Sequence, residues 1–206
     1  MVLYWILLPI VWVIWHVLWR IRVVGSENLI RGRGFVIAPN HISDLDPVFV
    51  AISVFTFHRM CILAKEELFH NWFIGWFLRN MGAVPIARGK GDTNTVGQVT
   101  EQVSAGRGLL IFPEGTRTKD GKIGVIKSGA FVVAGQAGVD MIPCRIIYDT
   151  KDGRQHLFCR VRVCFGEPIP AADLKIQDPR HSMSQLRTLK NRLRDCWEDL
   201  YEQNKF

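Results

Sequence analysis

Residues 35–47 read "FVIAPNHISDLDP". The apolar run Phe35-Val36-Ile37-Ala38 reads as a strand that ends at Pro39. Asp46 before Pro47 reads as a helix N-cap followed by proline at the first helical position. A strand passing through a short polar turn into a helix is the repeating unit of an α/β fold, so this stretch decides the fold class. It also places one histidine and two aspartates between the two elements. Three readings compete: a metal site, a helix cap, or a catalytic His–Asp pair. The metal reading is thin, because no second histidine or acidic cluster stands at ligand spacing. The cap reading accounts for Asp46 and Pro47 but leaves His41 idle. A step of five residues would turn His41 and Asp46 apart on one regular helix. With His41 in the turn and Asp46 at the helix start, the two side chains can meet. An aspartate on one ring nitrogen then fixes the tautomer and favours protonation of the other. On these residues alone the pair stays open between catalysis and structure.

Strand and helix patterns alternate on both sides of this stretch. "RVVGSENL" reads as a strand and turn, Pro47 to about Phe57 as a helix, and "MCILAK" as a short strand. "KEELFHNWFIGWFLRNMG" carries Phe69, Trp72, Phe73, Trp76, Phe77 and Met81 near helical spacing. "AVPIAR" is a strand, and Val96, Val99 and Val103 form a helical stripe that stops at Gly106. "GLLIFPEGT" reads as a strand ending at Pro113, "SGAFVVAGQAGV" as a small-residue helix, and "DMIPCRIIY" and "HLFCRVRVCFG" as strands. A C-terminal amphipathic helix turns Leu186, Leu189, Leu193, Trp197 and Leu200 one way. The expectation is a single α/β domain with helices packed on the sheet.

The chain has 206 residues, 48% of them hydrophobic, which is enough for a sizeable core. A net charge of +7 favours an anionic partner: nucleic acid, an acidic membrane surface or a phosphorylated substrate. The cysteines at 61, 144, 159, 164 and 196 are odd in number and lack a C-x-x-C, which fits a reducing, cytosol-facing location. Residues 1–19, "MVLYWILLPIVWVIWHVLW", carry no formally charged side chain, and Arg20 and Arg22 follow at once. Neither a basic start nor a cleavage site marks them as a secretory signal. Trp5, Trp12, Trp15 and Trp19 are spread along the segment and Pro9 interrupts it. That suits a helix lying in the membrane interface at least as well as one that crosses it. Residues 1–19 are therefore expected to be a membrane-associated segment, with the domain of residues 20–206 on the cytoplasmic face.

Two further stretches carry chemistry. In "FPEGTRT", 112–118, a strand runs into Glu114, Gly115, Thr116 and Arg117. Ligands of open α/β sheets gather at such strand ends, and Arg117 could hold an anionic oxygen in two parallel hydrogen bonds. In "GAVPIARGK", Arg88 ends a strand and is a second candidate for an anion. Either stretch alone would pass for a solvated turn.

Taken in order, the motifs resemble those of the glycerolipid acyltransferases, the bacterial 1-acyl-glycerol-3-phosphate acyltransferases in particular. His41 and Asp46 meet an H-x4-D motif, and Gly82, Ile86 and Arg88 meet G-x-x-x-I-x-R. Phe112 to Arg117 meets F-P-E-G-T-R letter for letter, and Ile142-Pro143 meets a later hydrophobic-Pro element. The resemblance covers about residues 20–170. It implies a central mixed sheet with helices packed on it, and acyl transfer to the sn-2 hydroxyl of 1-acyl-glycerol 3-phosphate. His41, oriented by Asp46, would be the general base, with backbone donors near the turn holding the oxyanion. Arg88, Glu114, Gly115, Thr116, Arg117 and, less clearly, Lys127 would bind the acceptor. Acyl-CoA or acyl carrier protein would be the co-substrate, with no cofactor and no metal. The partners implied are membrane phospholipid and lysophospholipid, not nucleic acid. Ser43 and Cys144 sit in no nucleophile elbow, which favours direct transfer over an acyl-enzyme. The rivals are the same chemistry on another lysolipid or on glycerol 3-phosphate, and a non-catalytic basic membrane- or nucleic-acid-binding module.

Overall fold

Strand β2 (Phe35–Pro39) is buried at all five positions. A short strand covered on both faces belongs in the middle of a sheet. The computed structural model, which describes residues 2–54, 60–80, 82–86, 93–118, 121–175 and 182–206, puts it there. Seven strands run in the order β1-β7-β6-β2-β5-β3-β4, where β1 is Arg20–Val24, β3 Met60–Lys65, β4 Ala83–Ile86, β5 Gly108–Leu110, β6 Met141–Tyr148 and β7 Arg160–Phe165. Neighbours are parallel except β6 and β7, which are antiparallel, so β1 and β7 oppose the other five. The mixed sheet that the family resemblance implies is thus observed.

Alternation along β2 divides the core into two layers. Val36 and Ala38 face helices α4 (Thr93–Ser104), α5 (Gly129–Ala137) and α7 (Ser182–Asn204), where they meet Val103, Phe131, Leu193 and Trp197. Phe35 and Ile37 face α2 (Asp46–Val54) and the end of α1 (Val2–Leu18), where they meet Phe49, Val50 and Trp19. A short α6 (Ala171–Leu174) supports the first layer through Leu174.

Two side chains fix the end of β2. The amide of Asn40 takes the place of a strand residue: its Oδ1 accepts from Ile146 N at 2.7 Å, and its Nδ2 donates to Ile146 O at 3.4 Å. The indole of Trp197, fully buried on α7, donates to Ala38 O at 3.0 Å.

Several boundaries differ from the expectations. The stretch after β3 is not one helix. A 3-10 turn (Glu66–Phe69) precedes α3 (Trp72–Asn80), because Asn71 Oδ1 accepts from Phe73 N and Ile74 N, both at 3.1 Å, and starts a new helix. Strand β5 ends at Leu110, before Pro113. Trp19, grouped by sequence with the apolar segment, is a core residue: it is 5% exposed and its indole donates to His156 O at 2.8 Å. Residues 2–18 of that segment form α1, whose Ile6, Ile10, Val13 and Val17 are exposed. Among the described residues no helix is long and apolar enough to cross a membrane.

Trp197→Ala should lower stability by about 3–5 kcal/mol, as expected for a buried aromatic truncated to a methyl group. Urea unfolding of the two proteins measures the difference. A loss under about 1 kcal/mol would mean that α7 does not brace β2 through this side chain.

Candidate active site

The turn after β2 carries His41 into a cluster built by three elements. His41 Nδ1 lies 3.0 Å from Asp46 Oδ2, and both residues are buried. The same oxygen accepts from Ile42 N at 2.6 Å and Ser43 N at 2.8 Å, and Tyr148 Oη donates to Asp46 Oδ1. The cap reading of Asp46 is corrected here, since its carboxylate turns back to the amides of the preceding turn. The first amides of α2, those of Val48 and Phe49, go instead to Leu45 O. A carboxylate that accepts from four donors is held rigidly. It can only accept from Nδ1, so the lone pair of the imidazole lies on Nε2. Burial first, then the charge of Asp46, pushes the Tyr148 hydroxyl well above its ordinary range, so it remains a donor.

The main chain of His41 is held from both sides by the second motif. Glu114 Oε2 accepts from His41 N at 2.6 Å, while Thr118 N donates to His41 O at 2.9 Å. The Phe112 ring stacks on the imidazole with centroids 4.1 Å apart. The other Glu114 oxygen accepts from Gly124 N at 2.5 Å. At 3% exposure, with both oxygens on backbone amides, Glu114 holds the main chain of His41 and leaves no carboxylate oxygen turned to the cavity. Burial pushes its carboxyl up, against the pull of the Gly124 and His41 amides and the charge of Arg145. Arg145 is itself buried, with its guanidinium over the Tyr201 ring and no hydrogen-bond partner for Nε or Nη1 among the described residues.

His41 lines a cavity of about 860 Å³. Its walls are apolar: Trp15 and Val11 of α1, Val48 and Ile52 of α2, Ile62 of β3, and Phe77 and Leu78 of α3. Its polar lining is Asp44, Lys65, Thr116, Arg117 and Lys127, beside His41 and Gly115. Gly115 has φ +69°, a left-handed backbone that favours glycine, and Lys127 reaches across the turn, its Nζ 2.8 Å from where a Cβ would stand. Arg117, half-exposed, is paired with Asp44 at 2.5 Å. Asp44, Thr116 and Arg117 also line an adjoining cavity of about 710 Å³, together with Ile42, Leu45, Arg154 and Gln155.

The structure therefore gathers His41, Asp46, Glu114, Gly115, Thr116, Arg117 and Lys127 at one place. Arg88 lies outside the described residues. Backbone donors near the turn were expected to hold an oxyanion; there the amides of His41, Ile42 and Ser43 already donate to Glu114 and Asp46. Cys144 is fully buried and its thiol is held well above its ordinary range by desolvation, which makes it inert as a nucleophile. Sequence reasoning missed Tyr148, Thr118, Gly124 and Arg145. For Tyr148 a signal existed: it is the one side chain with a polar tip on the face of β6 shared with Cys144 and Ile146.

The family described as Acyltransferase matches residues 20–147. The chain is 31% identical over 181 residues to 1-acyl-sn-glycerol-3-phosphate acyltransferase BAT2, chloroplastic, of Brassica napus, covering 83% of this chain and 52% of that protein. It is 29% identical over 155 residues to the 1-acyl-sn-glycerol-3-phosphate acyltransferase of Bacillus subtilis, covering 74% of this chain and 75% of that protein. The chain thus spans about half the length of the plant relatives it matches. Its fold is shared with the crystal structure of the 1-acyl-sn-glycerophosphate (LPA) acyltransferase PlsC from Thermotoga maritima: the TM-score is 0.62 at 22% identity, over 85% of this chain and 70% of that one.

Tyr148→Phe should keep the fold and lower stability by about 1–3 kcal/mol, because a buried carboxylate loses one donor and nothing replaces it. Urea titration with circular dichroism measures this. An unchanged midpoint would show that Tyr148 does not hold Asp46.

Proposed function

The chain belongs to the Acyltransferase family, and on that footing we propose that it moves an acyl chain from acyl-CoA or acyl carrier protein to the sn-2 hydroxyl of 1-acyl-glycerol 3-phosphate, making phosphatidic acid. The observation that carries this reading is the buried His41–Asp46 pair where an apolar cavity meets a polar rim. Such a cavity suits an acyl chain at one end and an anionic headgroup at the other.

His41 Nε2 takes the proton of the acceptor hydroxyl. The oxygen attacks the thioester carbonyl, and the resulting imidazolium is stabilised by Asp46 through Nδ1–H. Collapse of the tetrahedral intermediate breaks the C–S bond, and the proton on Nε2 passes to the departing thiolate. The ester and the thiol are the products, and His41 returns to its starting state. Glu114 and Thr118 keep the imidazole in line by holding the main chain of His41. Arg117 and Lys127 are suited to the phosphate of the acceptor, with Gly115 and Thr116 shaping the approach. Arg88 is assigned to the same phosphate from its place in the motif alone.

Purified protein with acyl-CoA and acyl-carrier-protein donors and a panel of lysolipid acceptors, products identified by mass, tests the reading. His41→Ala should cut turnover by about a hundred- to ten-thousand-fold with the fold intact. Arg117→Ala should raise the Michaelis constant for phosphate-bearing acceptor and leave that for the donor unchanged. Near-normal turnover in folded His41→Ala would refute the mechanism. Preference for an acceptor without a phosphomonoester, such as a lyso-ornithine lipid, would move the substrate assignment and leave the chemistry standing.

The exposed face of α1 is suited to hold the enzyme at a membrane on its cytoplasmic side, where acceptor and product reside. Ile10→Lys with Val13→Lys should lower flotation with liposomes by about tenfold, since each lysine adds a charge to the apolar side. Unchanged flotation would exclude α1 as the anchor. Trp19 is left in place, because it belongs to the core.

A further inference from the structure

Helix α3 is apolar on its outer side as well as its inner side. Inward, Phe77 and Leu78 line the cavity, and Gly75 lets the helix lie against the preceding turn, where a Cβ would meet Phe69 O at 2.7 Å. Outward, where a surface helix normally carries polar residues, stand Trp72 at 81% exposure, Phe73 at 57% and Trp76 at 45%. Leu68 and Ile74 extend the patch. The three rings support one another: Trp72 meets Phe73 edge-on at 5.8 Å, and Phe73 stacks with Trp76 at 6.2 Å. Arg79 and Asn80, at the end of the helix, are its only polar side chains. A helix apolar all round that is not buried in its own protein needs another apolar medium against it.

We propose that the outer face of α3 is a second lipid-surface contact, which seats the cavity against the bilayer from the side opposite α1. This rests on the lysolipid reading above. Continuity supports the lipid as occupant. Val11 of α1 and Phe77 of α3 pack in one cluster around Ile52, and both line the cavity that ends at His41. The exposed faces of α1 and α3 therefore flank the same cavity, and a lipid passing between them stays in apolar surroundings until its headgroup meets the polar rim. Aromatic side chains, tryptophan above all, favour the boundary between headgroups and acyl chains. The patch exposes roughly 500 Å² of apolar surface, taking about 200 Å² per aromatic side chain. That falls short of the roughly 800 Å² that each partner of a stable protein pair contributes.

The test compares the full chain with its Trp72→Ser/Phe73→Ser/Trp76→Ser variant on vesicles of phosphatidylethanolamine and phosphatidylglycerol. None of these positions lines the cavity. The variant should bind vesicles about tenfold more weakly. Its turnover of a dispersed short-chain acceptor should stay within about twofold of the parent, while turnover of vesicle-borne acceptor falls. The single substitution Trp72→Ser, at the most exposed position, should by itself reduce quenching of tryptophan fluorescence by brominated lipid. Vesicle binding and quenching equal to the parent's would overturn the proposal. So would a change confined to self-association, or one confined to turnover with acyl carrier protein as donor. Vesicle binding is read without any acyl transfer, so loss of the catalytic reading would not be mistaken for loss of this one.

Discussion

The site depends on the hold that residues 112–118 exert on the main chain of one residue. His41 N donates to Glu114 and His41 O accepts from Thr118, so the peptide units on both sides of the imidazole are fixed before its side chain makes any contact. Only then can a 3.0 Å bond to Asp46 fix the ring. The hold exists because β2 and β5 are parallel neighbours, which brings the segments after their C-terminal ends together. Trp197 and Asn40 keep the end of β2 from moving, through Ala38 O and the backbone of Ile146. The phenyl ring of Phe112 and the hydroxyl of Tyr148 then close the remaining directions.

Beneath this arrangement lies an electrostatic compensation. Glu114 is buried, and desolvation raises its carboxyl; Arg145, also buried, is lowered by desolvation and raised first by the charge of Glu114. Each charge makes the other cheaper to bury, although no direct ion pair joins them at hydrogen-bonding distance. The Tyr201 ring on α7 offers the guanidinium its π face, so the C-terminal helix contributes to the charge balance under the His41 turn as well as to packing.

The parts legible in the sequence were those set by local pattern. The apolar runs of β2 and β6 are visible because both strands are buried at every position and, Arg145 and the Tyr148 hydroxyl apart, carry no polar side chain. His41 and Asp46 were legible because the spacing fits a turn followed by a helix start, and the motif order tied them to residues 112–117. The role of Glu114 was not legible, because both of its partners are backbone amides, which have no letter in a sequence. The backward reach of Asp46 was hidden for the same reason: it depends on where the amides of Ile42 and Ser43 point. Tyr148 and Arg145 lie on opposite faces of β6, and only the register of the folded sheet brings them to Asp46 and Glu114. Trp19 shows the limit of composition, since an indole in an apolar segment looks the same whether it meets lipid or the core.

The pairing of β1 with β7 has a consequence for biosynthesis. Arg20 aligns with Arg160, so the first strand has no edge to join until about 140 further residues have left the ribosome. At bacterial and eukaryotic elongation speeds of about 5–20 residues per second, that wait is roughly 7–30 seconds. Throughout it, α1 and the indole of Trp19 lack the sheet that later covers them, and any apolar surface within reach competes for them. The order in which the chain is made therefore lets the N-terminal helix meet its surroundings well before the domain behind it has closed.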